Sequence, residues 1–149
     1  MKVIKLILTT ALLMGFAINA TAKDNHMNTA IGGYDPVSYF TDNKAVRGSG
    51  FHTATHNSQV YLFSSKKNKK TFEKNPSMYA PKYNGWCAYG VSVGKKFHTD
   101  PNVFAIVNNK LYLNLDSSIQ KKWNASQKKL IKNADKKWPS IKDKGISVL

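Results

Sequence analysis

Only one cysteine, Cys87, stands among the 149 residues, so no internal disulfide can form and the fold must hold on its core alone. Carboxylates are scarce as well: Asp and Glu total eight against 23 Lys and Arg. They fall at expected turns and helix starts, such as Asp35, Asp42 and Asp116, and give no paired acids for general acid–base chemistry. There is no glycine-rich phosphate loop and no second thiol, which removes the nucleotide-cradling and dithiol-exchange classes. Arginine is nearly missing too, since every basic residue but Arg47 is lysine. Lysine lacks the planar fork that reads phosphate or carboxylate in two-point fashion.

Long apolar runs are confined to the start. Met1-Lys2-Val3-Ile4-Lys5 leads into an apolar stretch from Leu6 to Ile18 and then Ala20-Thr21-Ala22, the charged, apolar and small order of a secretory signal peptide. The stretch is shorter than the roughly 20 residues a bilayer span requires. Cleavage is expected before Lys23, making 1–22 a signal peptide and leaving no transmembrane segment after processing. The protein is then periplasmic or secreted, and with no cysteine in the signal it is not a lipoprotein. Taking 22 residues from 149 leaves 127, a size suited to one domain. Losing Lys2 and Lys5 lowers the formal charge from +15 to +13. Such an excess points to an envelope protein or to anionic polymers as partners. Export argues against nucleic acid.

Within the remainder, residues 23–30 are polar and unpatterned and read as a flexible arm. Ile31-Gly32-Gly33-Tyr34-Asp35-Pro36-Val37 frames a strand or turn, and Thr41-Asp42-Asn43-Lys44 a turn of hairpin type. The β-branched and aromatic runs Phe51–His56 and Gln59–Phe63 flank Asn57-Ser58, which predicts a hairpin. Ser64 or Ser65 caps a short basic helix from Lys66 to Asn75, stopped by Pro76, and Phe72 and Tyr79 tie it to the sheet. Phe104–Val107 and Leu111–Leu113 around Asn108-Asn109-Lys110 predict a second hairpin. From Asp116 or Ser117, apolar residues at Ile119, Trp123, Leu130, Ala134 and Trp138 recur at helical spacing up to Pro139. The expected fold is α+β: one small domain over 31–140, two antiparallel β-hairpins, a short basic helix and a longer C-terminal amphipathic helix, with a flexible tail over 141–149.

Asp35-Pro36-Val37, Val60-Tyr61-Leu62-Phe63-Ser64-Ser65, Phe72 and Asn75-Pro76-Ser77-Met78-Tyr79-Ala80-Pro81 follow one another in an order that resembles the YHS domain family. Gly85-Trp86-Cys87-Ala88-Tyr89-Gly90-Val91, Lys110-Leu111-Tyr112-Leu113-Asn114, Lys121-Lys122-Trp123 and Trp138-Pro139 resemble its stand-alone exported branch. The likeness spans nearly all of the chain after the signal. YHS domains attached to metal-transporting ATPases are similar to small metal-binding modules, with cysteines after Asp-Pro-Val and after the Tyr-x-Phe strand. Here those places hold Ser38 and the run Ser64 to Asn68, and Cys87 is the thiol that survives.

The resemblance, the export signal and the presence of Cys87 together imply a non-catalytic domain that binds a soft metal ion in the cell envelope, copper first; the expected ligands are Cys87, for its soft thiolate, and His98, the nearest further donor in sequence. A thiolate is a strong donor for copper(I), which accepts few ligands. His52 and His56 share a strand face but lie about 13 Å apart at ~3.3 Å per residue, too far for one ion. A tight turn at Gly94-Lys95-Lys96 would keep Cys87 from His98, and only an irregular loop would join them. Two alternatives stay open: a basic protein- or polyanion-binding module without metal, and a single-cysteine thiol enzyme with its thiolate favoured by nearby lysines. A small apolar core role for Cys87 is open as well.

Overall fold

The computed structural model of the chain describes residues 29–149. The expected signal peptide and the arm as far as Asn28 lie outside them.

The two hairpins form where expected. Strand β1 (Ser49–His56) pairs antiparallel with β2 (Gln59–Phe63), and β3 (Phe104–Val107) with β4 (Lys110–Leu113), as two separate two-stranded sheets. Both turn on two residues in the left-handed region: Asn57 and Ser58 at φ +48° and +60°, Asn108 and Asn109 at +49° and +55°. That geometry matches the twist of the flanking strands, and asparagine tolerates it better than most residues.

A lone two-stranded ribbon is marginal in water, so each hairpin is backed by helix. Helix α2 (Lys66–Lys74) is capped by Ser65, whose Oγ accepts from the Asn68 amide. It presses Phe72 against Tyr61 and Phe63, with ring centroids 4.8 and 5.1 Å apart. Helix α5 (Ser117–Ala125) is capped by Asp116, which accepts from Ile119 N at 2.8 Å, and lays Trp123 on Tyr112 at 5.4 Å. Strand β4 is the wall between two cores. Leu111 and Leu113 belong to one, with Val37, Tyr39, Tyr61, Phe63 and Phe72. Tyr112 belongs to the other, with Val91, Trp123, Ala134 and Ile141. Alternation along a strand sends neighbours to opposite faces.

Several expectations need correction. The C-terminal amphipathic segment is two helices, α5 and α6 (Gln127–Ile141), broken at Ser126 with φ −143° and ψ 32°. Pro139 does not end it, because in the last turn proline forfeits one backbone bond while Lys142 N still closes onto Trp138 O at 2.9 Å. The segment 141–149 is tied down. Ile141 is buried, Leu149 packs against the second core, and Lys96 Nζ donates to the carbonyls of Lys142 and Lys144 at 2.7 and 2.6 Å. Structure also starts before Ile31: Thr29 bridges Val60 and Ala30 is buried.

Three short helices add to the expected set: α1 (Ser38–Thr41), α3 (Pro76–Tyr79) and α4 (Ala88–Ser92). No helix of the described residues is long and apolar enough to cross a membrane.

Candidate functional site

Cys87 occupies the N-cap of α4, and its Sγ accepts from Gly90 N at 3.4 Å. The thiol donates to Oδ1 of Asn114 at 3.5 Å, an oxygen that also accepts from Tyr89 N at 3.0 Å. Asn114 Nδ2 in turn donates to Gln120 Oε1. A Cβ at Gly90 would stand 2.6 Å from the Phe97 ring, so the close approach of that ring depends on the glycine. Cys87 is 1 % exposed.

Burial pushes the Cys87 thiol up from its ordinary value, against the amides of Gly90, Leu115 and Tyr89 that pull it down. The charged neighbour acting on it is Asp116, which raises it further. The expectation that lysines would favour the thiolate is therefore corrected. Burial dominates, so the thiol stays protonated and is a poor nucleophile.

His98 is placed by an irregular loop, not by a tight hairpin turn. Gly94 at φ +83° ends α4, and the chain returns so that Cys87 N donates to Phe97 O at 3.1 Å. The Cys87 and His98 backbones thus run side by side. Their side chains part: the sulfur turns inward to Asn114, and the imidazole is exposed with its ring 5.3 Å from that of Trp86. His52 is half-buried on β1, and the His56 ring lies edge-on to Phe72 at 6.1 Å. Among the described residues no three His, Cys, Asp or Glu converge where one ion could sit.

The places where the resemblance would put cysteines serve another purpose. Ser38 Oγ donates to Asp35 O and Lys44 O at 2.8 and 2.9 Å. Ser64 Oγ donates to Asp35 Oδ2 at 2.6 Å, beside Asn68 Nδ2 at 2.8 Å on the same oxygen. Ser64 thus belongs to a knot around the buried Asp35 carboxylate, and Ser38 to the main-chain bonds that hold the turn beside it.

The concave feature that sequence reasoning missed is an open cleft of about 700 Å³, whose walls include Tyr34, Arg47, Trp86, His98, Asp100 and Lys142. Its walls are fixed in advance. The Arg47 guanidinium lies 4.5 Å over the Tyr34 ring and donates through Nη1 to Gly32 O at 3.0 Å. Thr99 Oγ1 donates to Gly85 O, and Tyr39 Oη to Pro101 O, which pins the loop carrying His98 and Asp100. Lys96 Nζ sits 5.6 Å from the Trp86 ring and is spent on the tail carbonyls. The cleft thus brings the Trp86 side chain, an exposed guanidinium and an imidazole together around a volume typical of small-ligand sites. No local pattern marked it, because Arg47 and Trp86 come from different turns of the chain. The one signal was that Arg47 is the sole arginine among 23 basic residues.

Comparison of the chain with protein-family models, with curated proteins and with solved structures finds no match.

Proposed function

We propose that this chain is a non-catalytic binding domain of the exported kind, and that the cleft takes a small ligand combining negative charge with a flat or ring-shaped face. The observation that carries this reading is the convergence of Arg47, His98 and the Trp86 ring on one preformed hollow. Arg47 offers fixed N–H donors to an anion, and Trp86 a face on which a ring can stack. The buried, protonated Cys87 supports binding over thiol catalysis. The resemblance to exported YHS domains supports the same class, as does the tripartite N-terminus, which intact-mass measurement of exported material beginning at Lys23 would check.

The test is a titration followed by tryptophan emission, with inorganic phosphate, benzoate and a nucleoside monophosphate as probes graded in apolar surface. Saturable quenching lost in Trp86→Phe and weakened roughly tenfold in Arg47→Gln, as for one charge-assisted hydrogen bond, supports the cleft. No saturation with any of the three counts against it.

A second reading, copper(I) held by Cys87 and His98, is favoured by one observation, the backbone bond that sets residue 87 beside residue 97. It requires the sulfur to leave Asn114 for the imidazole. Metal analysis of protein purified without chelators decides it: near one copper per chain, lost in Cys87→Ser with the fold intact, would establish this reading beside or in place of the cleft.

A further inference from the structure

Phe51 is 94 % exposed. Folding alone does not favour an aromatic ring held almost wholly in water. It stands in the stretch of β1 between Ser49 and Thr53 where the pairing with β2 slips, and such a bulge turns side chains out of the regular register. Beside it is a shallow hollow of about 370 Å³, bounded by Phe51, His52, Lys66, Lys69, Lys70 and Glu73. The helix behind it reads KKNKKTFEK and buries Phe72 alone. Five lysines against one glutamate leave it formally at +4. Among the described residues only Lys69 of these five makes an ion pair, with Glu73 at 3.7 Å.

We infer that Phe51 and the lysine face of α2 form a docking surface for an anionic phospholipid bilayer, the ring entering the interface and the ammonium groups lying among the headgroups. The charge complementarity is that of a diffuse negative surface. Flexible ammonium groups without a planar fork answer to its field and do not demand one fixed phosphate geometry. The ring projects instead of being recessed, which suits a soft apolar medium. Single-stranded nucleic acid is bound by a groove with successive aromatic platforms, and this surface presents one ring. Each lysine brought close to such a leaflet strengthens binding about fivefold, and transfer of the ring by roughly tenfold or more. The surface uses none of the residues that shape the cleft and stands independently of the ligand proposed there.

The experiment uses the full chain with vesicles of phosphatidylcholine, alone or mixed with phosphatidylglycerol. Because the apolar stretch Leu6 to Ile18 can itself enter a bilayer, the readouts are taken at the patch. In Phe51→Trp the added emission should shift to the blue with the mixed vesicles and not with phosphatidylcholine alone, and salt should reverse it. Titrated with the mixed vesicles, that same emission shift should need on the order of a hundredfold more lipid when Lys66→Gln, Lys69→Gln and Lys70→Gln are added to Phe51→Trp. All these side chains border solvent, so circular dichroism should stay that of the parent. An unshifted emission in Phe51→Trp, a shift at the same lipid concentration with and without the three lysine substitutions, or tighter patch-dependent binding of polyglutamate or an oligonucleotide than of the mixed vesicles would each overturn the proposal.

Discussion

The Cys87 thiol donates to Oδ1 of Asn114, 27 residues along the chain, and neither side chain is more than 1 % exposed. This bond ties the start of α4 to the end of β4 and turns the one thiol away from solvent. Cys87 should therefore resist alkylation by iodoacetamide in the native protein and react at the rate of a free thiol in urea. The native rate should be lower by on the order of a hundredfold or more, since labelling must await an opening of the structure. Equal rates in the two conditions would place the sulfur at the surface and undo the argument for its inertness.

Asp35 should be the costliest carboxylate to replace. Its Oδ2 accepts from Ser64 N, Ser64 Oγ and Asn68 Nδ2, and its Oδ1 from Val37 N at 2.9 Å. Asp35→Asn keeps the shape but points an amide N–H₂ at one set of donors, leaving buried groups unpaired. A loss of about 2–4 kcal/mol is expected in urea unfolding. A loss under about 0.5 kcal/mol would mean that the knot rearranges at little cost.

Trp123 is fully buried, and among the described residues its Nε1 has no hydrogen-bond partner. Its contribution is then packing against Tyr112 and the second core, without a polar part. Trp123→Ala should cost about 3–5 kcal/mol, whereas Trp123→Phe, which gives up no hydrogen bond, should cost clearly less. Equal losses in the two variants would show that the indole N–H matters after all.

Stability should fall at alkaline pH. Burial pushes Tyr61 up to about 12 from its ordinary 10, and Tyr39 and Tyr83 are raised in the same direction, Tyr83 also by its bond to Asp135. A raised folded value means that the unfolded chain loses the proton first. The stabilisation is whole below pH 10 and is lost as pH climbs to about 12, by up to ~3 kcal/mol from Tyr61 alone. Tyrosinate absorbance and urea unfolding followed together over that window check the point. Tyr61→Phe should flatten the slope, and an unchanged slope would remove Tyr61 from the account.

The elements legible in the sequence were those fixed by local rules. Asn57-Ser58 and Asn108-Asn109 between β-branched and aromatic runs specify tight hairpin turns whatever lies around them. Ser65 and Asp116 announce helix starts because the cap is made within three residues. Phe72 had to be core because nothing else on its helix was large and apolar, and Trp123 because it is the largest residue of an apolar stripe that begins at Ile119. The break at Ser126 and the passage through Pro139 were less legible. Spacing of apolar residues cannot say whether one helix or two present them, and the burial of Ile141 offsets the bond that proline forfeits.

For the candidate site the balance is reversed. The sequence alone identified the thiol, the scarcity of acids, the lysine surface and the lone arginine, since those are matters of inventory. Only the tertiary structure decided that Cys87 faces Asn114 while His98 faces Trp86, although their backbones adjoin. It alone decided that Arg47 and Trp86 share a cleft, and that Phe51 stands out of the sheet beside α2. The physical reason is range. Caps and turns are settled by bonds between residues a few places apart, whereas the direction of a side chain within a loop is settled by what distant segments leave open to it.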